Sequence, residues 1–164
     1  MKYTIRDINY FILSVSNGGF VTISLSIEIV SRFIFNNLIF LVLQQENVLV
    51  NPVIEGQNIY IKLIMSLILA PIIETFIFFL LPFKTLKYFK WQYLSFSKCF
   101  VLIASILFAF NHCFNFVYFL SSCFGGVLMA IFYLISDKRA ENSYLNTTIL
   151  HSLYNAFVIL FNYF

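Results

Sequence analysis

The sequence predicts an all-α fold: a polytopic transmembrane helical bundle of about five spans. Three observations carry that expectation. The chain is 61% hydrophobic and 20% aromatic, with 10% charged residues, where soluble domains carry about 25%. A chain of 164 residues could not hide that much apolar surface from water, and a bilayer removes the need. Several apolar runs reach the roughly 20 residues that cross a hydrocarbon core. The basic residues cluster between those runs with the alternation that membrane topology imposes. The length fits a single membrane domain over residues 1–164.

The first span is expected at about 20–43 and the second at about 60–82, closed by Pro82. The apolar run 99–136 would be roughly 57 Å long as one helix, too much for one crossing of a ~30 Å core. It must turn. Asn111, His112 and Asn115 are its least apolar positions, so the turn is placed shortly after His112 and the division near Val117. The fifth span is expected at about 144–164. Cys99, Cys113 and Cys123 form no CxxC pair and, in apolar surroundings, read as buried free thiols. The N-terminal "YFILSV" is too short for a signal-peptide core.

Charge orients these spans. Lys84, Lys87, Lys90 and Lys98 fill one connector without an acid, Lys138 and Arg139 another, and Lys2 and Arg6 the N-terminus. The connector 44–59 instead carries Glu46 and Glu55. If spans alternate, eight of the ten basic residues share one side, which the positive-inside rule makes cytoplasmic. The N-terminus is then inside and the C-terminus outside. The net charge of +3 resides in these loops, so membrane lipid is the expected partner and nucleic acid is not.

Ionisable groups within a bilayer cost about 2.5–3.5 kcal/mol each on insertion scales and need a reason to be there. Glu28 and Arg32 are spaced i, i+4, acid first, and read most simply as a self-neutralising pair; a gating role is the other reading. Glu74, in "APIIET", has no such local partner. Pro71, three residues earlier, removes a backbone donor and should leave the Leu67 carbonyl unpaired, which suggests a kinked helix beside a polar cavity. A protonated glutamate making one structural hydrogen bond is the plainer alternative. His112 closes "FAFNH", and His151 and Asn155 stand one turn apart in "HSLYN". Carboxylate and imidazole together can polarise water as a general base, and a second His with Asn can donate to an oxyanion. The same groups could ligate a metal. No HExxH and no GxSxG is present.

"APIIET" (70–75), "FAFNH" (108–112) and "HSLYN" (151–155), in this order on apolar spans, resemble the three motifs of the CPBP family of intramembrane proteases. That family includes the type II CAAX prenyl endopeptidases and the bacteriocin-processing or immunity (Abi) proteins. Its pattern is E-E-x-x-x-R, F-x-x-x-H and H-x-x-x-N, and the likeness covers roughly residues 65–160. Thr75 stands at the second Glu position and Phe79 at the Arg position. The resemblance implies a hydrolase in which Glu74 and His112 activate water and His151 and Asn155 hold the oxyanion. If a divalent metal such as zinc is used, Glu74, His112 and His151 are the implied ligands. The implied substrate is a peptide or protein in or at the membrane, and the implied location a bacterial inner (plasma) membrane. A non-catalytic immunity or scaffold relative is the second reading, favoured by Thr75 and Phe79. A proton-relay transporter or channel subunit is the third.

Straight helices would put Glu74 ~12 Å above Pro82 and His151 ~10 Å above Tyr144, but His112 ~20 Å above Cys99. A shared site therefore requires the third helix to begin below the hydrocarbon and enter it near Ala104, with "WQYLSF" (91–96) at the interface.

Overall fold

The computed structural model describes residues 13–43, 57–89 and 96–163. Among the described residues the main elements are α1 (Asn17–Leu43), α2 (Ile59–Tyr88), α3 (Phe96–Asn111), α4 (Phe116–Lys138) and α5 (Ser143–Tyr163). They form a helical membrane bundle, and no strand occurs among the described residues. By length and composition α1, α2 and α4 can each cross a membrane, and α3 is a shorter apolar helix of 16 residues. Lys2, Arg6, Glu46, Glu55, Lys90 and residues 91–95 of the expected interfacial segment lie outside the described residues.

The division of the long apolar run falls where its polar residues stand. Helix α3 stops at Asn111, and Asn115 caps α4 by accepting the Tyr118 N–H at 2.8 Å. The break thus precedes Val117, which is buried in the first turn of α4. Of the three thiols expected to be buried, Cys99 is, Cys123 is half-buried, and Cys113 is exposed because the break leaves it in the connecting turn.

Helix α2 departs from expectation in two ways. It does not end at Pro82 but continues to Tyr88. It also widens twice, to π turns at Met65–Leu69 and Phe76–Leu80. In each case the closing N–H reaches back five residues, Ala70 to Met65 and Leu81 to Phe76. A proline, Pro71 or Pro82, stands two residues beyond the last residue of each wide turn. The wider turn moves the proline ring off the carbonyl it would strike in an α-helix, so the helix continues through both prolines.

The extension of α2 removes the depth conflict for two of the site residues. Measured from Tyr88, Glu74 lies ~21 Å along its helix, and His112 lies ~24 Å along α3 from Phe96. From the first turn of α5, Tyr144 packs against the Phe79–Phe83 cluster and its hydroxyl reaches up to donate to the Ile72 carbonyl at 3.2 Å.

Two apolar clusters hold the helices. Phe79, Phe83 and Leu86 of α2 pack with Phe100, Ala104 and Phe108 of α3 and with Met129 and Tyr133 of α4. Phe20 and Val21 of α1 pack with Phe132 and Leu150. Gly126 lets α3 and α4 approach closely, because a Cβ there would stand 2.9 Å from the Ser105 Cα. At one end a polar knot ties α1 to the α4–α5 turn. Asn146 and Asn17 exchange amide hydrogen bonds at 2.9 and 3.2 Å, and Arg139 donates to the Val15 carbonyl and to Glu141. Ala140, at φ 57°, closes α4 in the left-handed region, with the Glu141 N–H reaching back to the Ser136 carbonyl.

Candidate active site

Glu74 leaves α2 between its two wide turns, a register that no regular helix would give it. His112 follows the last residue of α3, and His151 lies on α5 with its residue 4% exposed. The three meet at one atom. Nε2 of His112 stands 3.7 Å and Nε2 of His151 3.6 Å from the same Glu74 oxygen, Oε2. The other oxygen, Oε1, accepts a hydrogen bond from the Asn111 amide at 3.3 Å. Asn111 is a site residue that the sequence reading passed over as a turn marker; its adjacency to His112 was the available signal.

The Phe108 carbonyl stands 2.9 Å from His112 Nδ1 and accepts from it. The proton is thereby fixed on Nδ1, and the Nε2 lone pair faces Glu74. Rings frame both imidazoles. Phe108 lies 4.4 Å from the His112 ring and 5.7 Å from that of His151, and Tyr118 stacks parallel to His112 at 6.0 Å. These rings shield the imidazoles from part of the surrounding water, while the His112 and Glu74 side chains remain 14% and 15% exposed. His151 Nδ1 is buried and has no hydrogen-bond partner among the described residues.

Asn155, one turn beyond His151, is engaged elsewhere. Its amide donates to the Ser66 carbonyl at 2.8 Å. The expectation that Pro71 would free the Leu67 carbonyl is corrected here. Because the wide turn before Pro71 shifts the register by one residue, the donor that proline lacks is the one Ser66 would have used, and Asn155 supplies it. One Asn155 N–H remains for another acceptor.

Thr75 and Phe79 are both fully buried and lie one turn apart. Phe79 packs against Phe108 with ring centroids 5.8 Å apart. A Glu and an Arg at these positions could neutralise each other; Thr and Phe remove both charges together. Replacing a buried ion pair by neutral side chains is often energetically neutral. These departures therefore alter packing behind the site and leave the Glu74 carboxylate in place.

For a divalent metal the donor chemistry of one carboxylate and two imidazoles is suitable. The placement is not. Donors on a tetrahedral zinc ion lie ~3.3 Å apart, His151 lacks the outer hydrogen bond that orients a ligating imidazole, and no group of described side chains forms a three-donor metal site. As placed, these residues do not fit a zinc ion.

Fold and site together define a polytopic helical membrane protein with a partly buried carboxylate–imidazole cluster. The family model described as "Type II CAAX prenyl endopeptidase Rce1-like" matches residues 56–157. The chain belongs to that family, whose members are CAAX-type intramembrane endopeptidases, and is an integral membrane protein. No curated protein and no solved structure matches it.

Proposed function

We propose that this chain is an active intramembrane endopeptidase that hydrolyses a membrane-associated peptide or protein with Glu74, His112, His151 and Asn155. The observation that carries the reading is the convergence of two imidazole Nε2 atoms, at 3.6 and 3.7 Å, on one Glu74 oxygen. These separations are too long for direct hydrogen bonds but leave room for one water about 2.8 Å from each atom to bridge them. Glu74 and His112 draw a proton from that water as its oxygen attacks the peptide carbonyl. The carbonyl electrons move onto oxygen, where His151 and the uncommitted Asn155 N–H donate to the developing charge. When the C–N bond breaks, the proton first taken from water passes to the departing amine. The water oxygen stays on the new carboxylate.

Positively charged loops support a cytoplasmic face at the Tyr88, Phe96 and Lys138 ends of the helices, as expected for a bacterial inner membrane. A metal-assisted version with zinc on Glu74, His112 and His151 is separated by elemental analysis. Stoichiometric zinc whose removal abolishes cleavage would replace the general-base account; full activity in metal-free protein supports it.

The direct experiment compares wild type and Glu74→Gln in proteoliposomes carrying candidate membrane peptides. Cleavage by wild type that is lost in the variant supports the enzyme. An intact substrate with both proteins favours the non-catalytic relative. Proton flux lost in the variant, without cleavage, favours the relay.

A further inference from the structure

Arg32 lies on α1, outside the family-matched residues, and the mechanism above makes no use of it. Its Nη2 pairs with Glu28 Oε1 at 3.2 Å, with the Arg32 side chain 11% and the Glu28 side chain 2% exposed. A self-neutralising pair accounts for that contact but not for the others. The guanidinium lies over the Tyr154 ring, 4.2 Å from its centroid, a cation–π geometry. Tyr154 sits between His151 and Asn155 on α5. The guanidinium also fills the space above Gly125, where a Cβ would come within 2.1 Å of Cζ. Tyr154 stands three residues, about one turn, from His151 on α5, and Tyr118 is the ring stacked on His112. Phe79 leaves α2 without a cation at the position where the family pattern has one.

From these contacts we infer that Arg32 is a positioning residue for the hydrolytic site: its guanidinium, seated on Gly125, holds Tyr154 and the α5 face that bears His151 and Asn155, and sets a positive field where the oxyanion develops. Glu28 tethers the side chain. Gly125 is the seat, which explains one of the two glycines of "SSCFGG". A fixed cation in a site of low dielectric stabilises a developing anion without reorganising at the moment of reaction. Arginine suits the role better than lysine, because its planar group can stack on an aromatic ring while donating sideways to a carboxylate. The kinetic part of this inference rests on the endopeptidase reading; the field itself does not.

The test has two independent arms. In the first, Arg32→Gln is expected to lower kcat by roughly 10- to 100-fold with KM within about 2-fold of wild type. Arg32→Lys recovers part of that loss. Gly125→Ala, whose methyl displaces only the flexible end of Arg32, behaves like Arg32→Gln. Glu28→Gln keeps the cation and stays within a few-fold of wild type, whereas Glu28→Gln with Arg32→Gln, a neutral copy of the pair, remains as slow as Arg32→Gln alone. A double variant with wild-type kcat, or single variants equally impaired, would show that the pair serves only the fold and would overturn the inference. The second arm needs no turnover. A p-cyanophenylalanine at Tyr118 reports the local field through its nitrile stretch. The frequency is expected to move on Arg32→Gln and to move in the same sense on Gly125→Ala. An unmoved nitrile overturns the inference even where cleavage is seen. A moved nitrile in a protein that cleaves nothing sustains the field while the endopeptidase reading fails.

Discussion

At Glu74 one carboxylate oxygen serves two imidazoles while its twin is held by Asn111. That division of labour makes the residue irreplaceable by its amide. Glu74→Gln keeps the volume but offers an amide where a base is needed, and cleavage should fall at least about 100-fold while the protein stays folded; circular dichroism and a peptide assay check both halves. Thr75 and Phe79 give a second expectation. Thr75→Glu buries an unpaired charge and should cost about 3–5 kcal/mol, whereas Thr75→Glu with Phe79→Arg should recover much of it. Thermal unfolding in detergent measures the difference. Glu74, His112, His151 and Asn155 were each singled out as candidates by their motifs. Asn111 and the service of Asn155 to Ser66 were not, since both depend on which helix faces which, and spacing along one helix cannot encode that.

At the scale of the element, α2 carries the most information. Its hydrophobic length was plain in the sequence, and Pro71 marked a place where the regular ladder had to be broken. The two wide turns were not, because a π turn is set by where a proline's missing donor can be replaced from a neighbouring helix. Asn155 provides that replacement at 2.8 Å. Pro71→Ala restores an N–H that can bond the Leu67 carbonyl and lets α2 relax toward regular α register, which turns Glu74 away from the imidazoles. Activity should drop roughly 10-fold or more with little loss of stability. Hydrogen exchange of the backbone amide that the variant gains, where Pro71 of the wild type has no proton to exchange, reports the new hydrogen bond, and the cleavage rate reports the misaimed carboxylate. A variant with unchanged activity would show that the wide turn does not aim Glu74. Pro82 misled in the opposite direction: proline read as a stop is tolerated within α2, which extends to Tyr88.

Across the whole molecule, lipid-facing apolar side chains surround a small polar interior. Phe33 and Leu41 are 70% and 76% exposed in a chain with few charges, which only a bilayer renders stable. Lys84 and Lys87 near the end of α2, Lys98 at the start of α3 and Lys138 at the end of α4 mark one end of the bundle, and the tie between Asn17 and Asn146 brings the start of α1 to the α4–α5 turn. A cysteine at Lys87 should therefore be labelled by impermeant reagent only from the cytoplasmic side; labelling from outside would invert the topology. The fold class was readable in composition, whereas the meeting of three side chains from three helices required coordinates.

That meeting is the central claim, and coupling between its members tests it most directly. Cleavage of one membrane-anchored fluorogenic peptide should be measured for Glu74→Gln, His112→Ala, His151→Ala and their pairwise combinations. Groups that act on one water fail as a unit. Each single variant should lose most of the activity, and each double should be no slower than its worse parent by more than about 3-fold. Losses that multiply across the doubles, or any single variant that cleaves at the wild-type rate, would contradict a shared hydrolytic centre.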